Sequence, residues 1–161
     1  MADIFISFIH EEQPVAVAVQ QLLHASLGTR NVFLSSDEWQ IFAGEQWLDR
    51  IKAELQPAKV VVLLLSPRSV ERPWVNFEAG AAWLTGKIVV PACFAGLSKG
   101  GLPKPYSNIQ ALDLPDDDNY LIRSVSHHLN LHLPPSPPTF DSAEQRALRE
   151  AIRQVVDKAP A

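Results

Sequence analysis

The stretch that most constrains the fold is a run of six consecutive apolar residues, Val60–Leu65. A strand that exposes one face to water alternates apolar and polar residues, and this run does not alternate. Uninterrupted Val and Leu are typical of a strand covered on both faces, as in the centre of a parallel sheet. We therefore expect a parallel sheet with helices on both sides to form the core.

The segments around this run alternate between short apolar stretches and stretches with helical periodicity. Strands are predicted at 4–8, 31–34, 60–65, 87–94 and around 109–114, and helices at about 14–27, 45–56, 72–83 and 121–129. Regular βα alternation of this kind predicts an α/β fold. The expected architecture is flavodoxin-like and doubly wound, with a five-stranded parallel sheet and helices on both faces.

The chain changes character after residue 133, so we assign residues 1–133 to the main domain. Residues 134–141 form a proline-rich linker, which is expected to be extended. In the C-terminal helix, 142–161, Ser142 and Gln145 form a capping-box pattern and an apolar stripe follows. This stripe requires a partner, which is the domain itself, another copy of the chain or a further domain.

The composition excludes several classes of function. The net charge of the 161-residue chain is −4, which gives no electrostatic reason to expect direct nucleic-acid binding. The single cysteine, Cys93, cannot form an internal disulfide, as suits a reducing cytoplasm. No apolar run approaches the length of a membrane span, and the first residues lack the basic region of a secretory signal. We expect a cytoplasmic protein without membrane contact.

One acidic residue, Glu78, lies in the otherwise apolar helix RPWVNFEAGAAW at 72–83. Burial of an unpaired carboxylate is costly, and no cation follows on this helix before Lys87. Two interpretations are open at this point. Either Glu78 lies at the rim of the helix and contacts water, or it faces a pocket.

The predicted topology favours a pocket near this carboxylate. Ligands of open α/β sheets bind beyond the carboxyl ends of the strands, and the segments 8–10, 35–44 and 66–78 reach that edge. Trp74 precedes Glu78 by four residues and therefore shares its helical face. An aromatic ring beside a carboxylate suits a flat heterocycle attached to a sugar.

Other chemistries fit the sequence less well. It has no G-x-G-x-x-G or P-loop, no G-x-S-x-G elbow and no second acid in an obvious pair with Glu78. The histidines, among them His127, His128 and His132, lack metal-ligand spacing to Cys93, so no metal site is expected. A single carboxylate is nevertheless adequate where the leaving group departs neutral, as nicotinamide does from NAD+.

Four segments resemble the Toll/interleukin-1 receptor (TIR) domain family. DIFISF resembles the first conserved box, and VFLSSDEWQIFAGEQW resembles the second strand, the BB loop and the next helix. VVVLLLSPRSVERPWVNFE resembles the third strand and the helix with the W-x-x-x-E motif, and KIVVPACF the strand near the third box. The resemblance covers roughly residues 2–133 and is typical of the bacterial, NAD-cleaving type.

This resemblance implies an NAD+ nucleosidase, a hydrolase or an ADP-ribosyl cyclase, in which Glu78 is catalytic. NAD+ is then the substrate, and no cofactor is needed. The substrate-binding residues implied by the family are Phe8, Ile9, Ser36, Asp37, Trp39 and Trp74. Many members have Tyr followed by Arg or Ser where this chain has Phe8 and Ile9.

The resemblance also implies partners. Enzymatic TIR domains self-associate through the BB loop, into a homo-oligomer or filament when activated. A sensor domain beyond the C-terminus would gather such domains in bacterial anti-phage defence. The alternative is a non-catalytic adaptor that acts through TIR–TIR contacts alone, for which an acid at position 78 is not required.

Overall fold

The computed structural model describes residues 3–28, 31–36, 47–131 and 142–158, apart from the side chains of Trp47, Leu48 and Arg50. The proline-rich linker predicted at 134–141, the BB-loop residues 37–44 and the first two residues of the helix predicted at 45–56 lie outside this part of the chain.

A five-stranded parallel sheet forms the centre of the molecule. Its strands are β1 (Ile4–Phe8), β2 (Val32–Ser36), β3 (Val60–Leu65), β4 (Ile88–Cys93) and β5 (Leu112–Asp113), in the order β2-β1-β3-β4-β5. This order is that of flavodoxin-like folds, so the predicted fold class is confirmed. Every residue of β3 is buried, as its apolar sequence predicts for a central strand.

Helices cover both faces of the sheet. They are α1 (Gln13–Leu27), α2 (Trp47–Leu55), α3 (Pro73–Leu84), α4 (Asp118–His128) and α5 (Ala143–Lys158). Apolar residues of α1, α4 and α5 pack on one face, and those of α2 and α3 pack on the other. Side chains alternate along β1, so Ile6 faces the α1 layer whereas Phe5 faces the α2–α3 layer. None of the helices in the described residues is long and apolar enough to cross a membrane.

The C-terminal helix α5 packs on the main domain. Its residues Leu148 and Ile152 are buried in the same core layer as α1. The predicted capping box is present, because the Ser142 amide donates to the Gln145 side chain and the Gln145 amide donates to Ser142 Oγ. The Gln145 amide group also donates to Asp118 at 2.8 Å. The apolar stripe of α5 therefore packs on the main domain, which is one of the three partners named above.

The fifth strand is shorter than predicted. It was expected around 109–114 and comprises only Leu112–Asp113. A 3-10 turn at Tyr106–Asn108 precedes it, and Pro115, which has no amide hydrogen to donate, follows Leu114. The Asp113 amide donates to the Asp117 carboxylate at 2.8 Å. The Asp117 side chain therefore accepts the hydrogen bond that the Asp113 amide would otherwise donate to a further strand at this edge of the sheet.

Candidate functional site

Glu78 lies in the second turn of α3. Pro73 occupies the first turn, where its fixed φ suits a helix start. Val75, Ala79 and Ala82 form the buried stripe of α3 against the sheet, and Glu78 falls beside that stripe. Its exposed fraction is 0%. The interpretation in which Glu78 contacts water at the helix rim is therefore wrong.

Two serine hydroxyls of the sheet donate hydrogen bonds to the Glu78 carboxylate. Ser7 Oγ donates to Oε1 at 2.7 Å, and Ser35 Oγ donates to Oε2 at 2.6 Å. The two serines are partners in the register of β1 and β2, so their side chains leave the same face of the sheet. Both hydroxyls are neutral, so they satisfy the carboxylate oxygens without cancelling a negative charge.

The structure brings two of the predicted binding residues to the face of the sheet that carries Glu78. Trp74 is half-buried and packs against the α2–α3 core layer, one turn before Glu78. Ile9 is fully buried in the same layer. The prediction that position 74 shares a helical face with position 78 depended only on the helical repeat, and the arrangement agrees with it.

The other predicted binding residues lie elsewhere or outside the described residues. Phe8 packs in the α1 core layer, on the opposite face of the sheet, because side chains alternate along β1. Ser36 is half-buried and is the register partner of Phe8, so alternation directs it away from Ser35. Asp37 and Trp39 fall outside the described residues, so their predicted roles stay predictions.

A second buried carboxyl group, which the sequence analysis missed, lies beyond the end of β1. Glu12 closes the 3-10 turn His10–Glu12 and is 2% exposed. Ser66, which follows β3, donates to Glu12 Oε1 at 3.0 Å. Burial raises the pKa of Glu12 to about 7, against the lowering effect of the Ser66 hydrogen bond and of Arg68.

The neighbouring acid, Glu11, has different surroundings. It is partly exposed and pairs with Arg72, whose Nη2 lies 2.9 Å from Glu11 Oε2. Arg72 is the residue before α3, so this ion pair joins the turn after β1 to the start of the helix that carries Glu78. In the sequence, Glu11 and Glu12 are indistinguishable, since their difference arises from contacts with residues more than fifty positions away.

The described residues give no indication of metal or thiol chemistry. They contain no group of three or more His, Cys, Asp or Glu side chains that could hold a metal ion. Burial, followed by the charge of Asp113, raises the pKa of Cys93 to about 12, so this thiol stays protonated and is a poor nucleophile.

Comparisons with known proteins identify the family. The family model described as TIR domain matches residues 4–127. Among solved structures, a metazoan TIR-STING receptor from C. gigas is 20% identical, with a TM-score of 0.59, and the match covers 78% of this chain and 40% of that receptor. The TIR domain of the Toll-related receptor TRR-2 from Hydra magnipapillata is 12% identical, with a TM-score of 0.58, over 78% of this chain and 98% of that domain.

At these identities the structural matches show a shared fold. This chain corresponds to less than half the length of the TIR-STING receptor. Among curated proteins, none matches it. The family model, however, spans well over half of the chain and includes every strand of the sheet. This protein therefore belongs to the TIR domain family.

Proposed function

We propose that this protein is an NAD+ nucleosidase that cleaves the bond between nicotinamide and ribose, with Glu78 as its catalytic residue. The observation that carries the proposal is a buried carboxylate that accepts one neutral hydroxyl on each oxygen. Buried carboxylates without such donors are costly, so this arrangement keeps an acid where most folds would place an apolar residue.

The chemistry needs only one carboxylate. When the C–N bond between ribose and nicotinamide breaks, its electron pair goes to the ring nitrogen, and nicotinamide leaves neutral without a proton. Positive charge develops on the ribose, and an ionised carboxylate near it lowers the energy of the transition state. Water then forms a bond to the same ribose carbon and releases a proton to solvent. If an adenine nitrogen attacks instead, the product is cyclic.

Access to Glu78 requires a rearrangement. Because its exposed fraction is 0%, a ribose can contact the carboxylate only after neighbouring side chains separate. We infer that self-association through the BB loop provides this rearrangement, so that activity depends on assembly. In this proposal the protein is a cytoplasmic effector of bacterial anti-phage defence, assembled by a sensor domain beyond the C-terminus.

A second function is favoured by the same burial. A carboxylate that two serines satisfy inside the fold can be a structural element of α3, and the protein is then a non-catalytic adaptor that acts through TIR–TIR contacts. This alternative predicts no turnover of NAD+ in any state of assembly.

The deciding experiment measures nicotinamide release from NAD+ by the full chain, both dilute and clustered on a surface through a C-terminal tag. Glu78→Gln keeps the shape of the side chain and removes its charge. Glu71→Gln, which changes an exposed acid at the end of the turn before α3, is the matched control. We expect turnover by the clustered native protein and by Glu71→Gln, and turnover about 10²- to 10³-fold lower by Glu78→Gln. Turnover by Glu78→Gln at the native rate excludes Glu78 from the mechanism, and a clustered native protein without turnover favours the adaptor.

A further inference from the structure

The hydrogen bonds to Glu78 come from two different strands, and this arrangement constrains the carboxylate more than either bond alone. A single donor leaves a carboxylate free to turn about its terminal bond. Here Ser7 of β1 holds Oε1 and Ser35 of β2 holds Oε2, so the plane of the carboxylate is fixed relative to the sheet. We propose that Ser7 and Ser35 are positioning residues, which hold the Glu78 carboxylate ionised and oriented. Their importance for catalysis rests on the proposed function.

The surroundings of the two serines strengthen these bonds. Ser7 and Ser35 are both buried, with exposed fractions of 0% and 1%. The register pair that precedes them on the same face is Phe5 and Phe33, whose ring centroids are 5.5 Å apart. Hydrogen bonds in apolar surroundings are electrostatically stronger than those in water. The two donors therefore lie in apolar surroundings, on the face of the sheet that α3 covers.

The choice of serine suits an acid that must stay charged. Hydrogen bonds from hydroxyls favour the ionised carboxylate, because protonation replaces one acceptor by a donor and forces a serine to reverse its hydroxyl. A lysine or arginine in the same position would also favour ionisation, but it would cancel the negative charge that a ribosyl cation needs.

The test separates the state of the carboxylate from turnover. Glutamate carboxyl carbons are labelled with ¹³C and titrated by NMR in the native protein, Ser7→Ala, Ser35→Ala and the double variant, and Glu78→Gln assigns the Glu78 signal by its loss. We expect each single variant to move the titration of Glu78 upward by about one pH unit, and the double variant further. Ser35→Thr, which retains a hydroxyl, should restore the native titration.

Ser26→Ala is the matched control, because Ser26 is a buried serine of α1 on the opposite face of the sheet. It should leave the Glu78 titration unchanged. If Ser7→Ala and Ser35→Ala also leave it unchanged in folded protein, the two serines do not hold the charge and the proposal is overturned. Nicotinamide release is measured on the same samples. A shifted titration without turnover by the clustered native protein supports the role of the serines and refutes the nucleosidase.

With turnover, a further readout separates positioning from general damage to the fold. The acidic limb of the pH profile of kcat/KM should move with the NMR titration, and kcat should fall about tenfold in each single variant while KM changes little. A uniform loss of activity in proportion to the folded fraction, with the acidic limb in place, would contradict the proposal.

Discussion

Glu78 and Glu12 are two buried acids near the same edge of one sheet, and they are stabilised differently. Glu78 accepts one serine hydroxyl on each oxygen. Glu12 accepts a hydrogen bond from Ser66, and burial raises its pKa to about 7. The two acids therefore differ in the hydroxyls that reach them, two for Glu78 and one for Glu12. We expect the two hydroxyls to favour the ionised form of Glu78, which is the form that a reaction with a developing positive charge needs.

The difference has a topological origin. The donors of Glu78 belong to adjacent strands in register, so the backbone of the sheet sets their separation. The donor of Glu12 belongs to the turn after β3, where the amide of Ser66 donates to Ser69 Oγ at 2.7 Å and the amide of Ser69 donates to Ser66 Oγ at 2.9 Å. Two strands can supply two donors to one carboxylate, whereas this turn presents one hydroxyl to Glu12.

The largest expected effect on NAD+ cleavage comes from replacing one of the two buried acids, Glu78 or Glu12, by glutamine. Glu78→Gln should reduce NAD+ cleavage by the clustered protein about 10²- to 10³-fold, as removal of a group that stabilises transition-state charge does. Glu12→Gln should change it less than about threefold, because this proposal gives Glu12 no contact with the substrate. Nicotinamide release measures both. Equal losses in the two variants would show that the acids act as a pair.

Removing both donors of Glu78 should destabilise the fold. Loss of a hydrogen bond to a buried carboxylate costs about 1–3 kcal/mol, so Ser7→Ala with Ser35→Ala should lower the free energy of unfolding by about 3 kcal/mol at pH 7.5. The loss should be smaller at pH 5, because removal of the two donors favours the protonated carboxyl group. Urea unfolding at the two pH values measures it, with Ser26→Ala as the control. An equal loss at both pH values would indicate that Glu78 is not the source of the cost.

The sequence allowed the architecture to be predicted because the relevant signals are local. The run Val60–Leu65 indicated a covered strand, and the helical repeat placed Trp74 and Glu78 on one face. The four residues 142–145 were enough to predict the capping box of α5. Each of these features depends on neighbours in the chain, and each was found.

The carboxyl clusters could not be predicted in the same way. The hydrogen bonds from Ser7 and Ser35 to Glu78 depend on the register of β1 and β2 and on how deeply α3 packs against the sheet. No short motif encodes either property. Likewise, nothing local distinguishes Glu11 from Glu12. One signal was available, which is a serine at the third position of FISF and of FLSS, Ser7 and Ser35. The second strand was predicted to end at residue 34, however, so Ser35 was not recognised as a residue of the sheet.

A smaller effect is expected from the titration of Glu12. Its folded pKa, about 7, is above the ordinary value of 4.5, so the folded state keeps this proton to higher pH than the unfolded chain. The stability associated with this group is thus fully present below pH 4.5 and is lost as the pH rises through 7. Glu12→Gln should remove this dependence and raise the free energy of unfolding by about 2 kcal/mol at pH 8, with little change at pH 4.5.

Urea unfolding from pH 4.5 to pH 8 measures this effect in the native protein and in Glu12→Gln, with Glu71→Gln as an exposed control. Parallel curves for the native protein and Glu12→Gln would contradict the raised pKa of Glu12.

The smallest effect concerns the charges that face Glu12, which are Arg68, Arg72 and Glu11. Glu11→Gln and Arg72→Gln break the same partly exposed ion pair, so each should cost about 0.5–1 kcal/mol of unfolding free energy.

The effects of Glu11→Gln and Arg72→Gln on the pKa of Glu12 should nevertheless be opposite in sign. Arg72 lowers the pKa of Glu12 and Glu11 raises it, so Arg72→Gln should extend the window in which stability falls to higher pH, whereas Glu11→Gln should end it at lower pH. Urea unfolding of both variants across pH 5 to 8 measures this. Shifts in the same direction would mean that the ion pair acts on Glu12 by packing the turn, and the charges would then have no direct part in the contrast between the two acids.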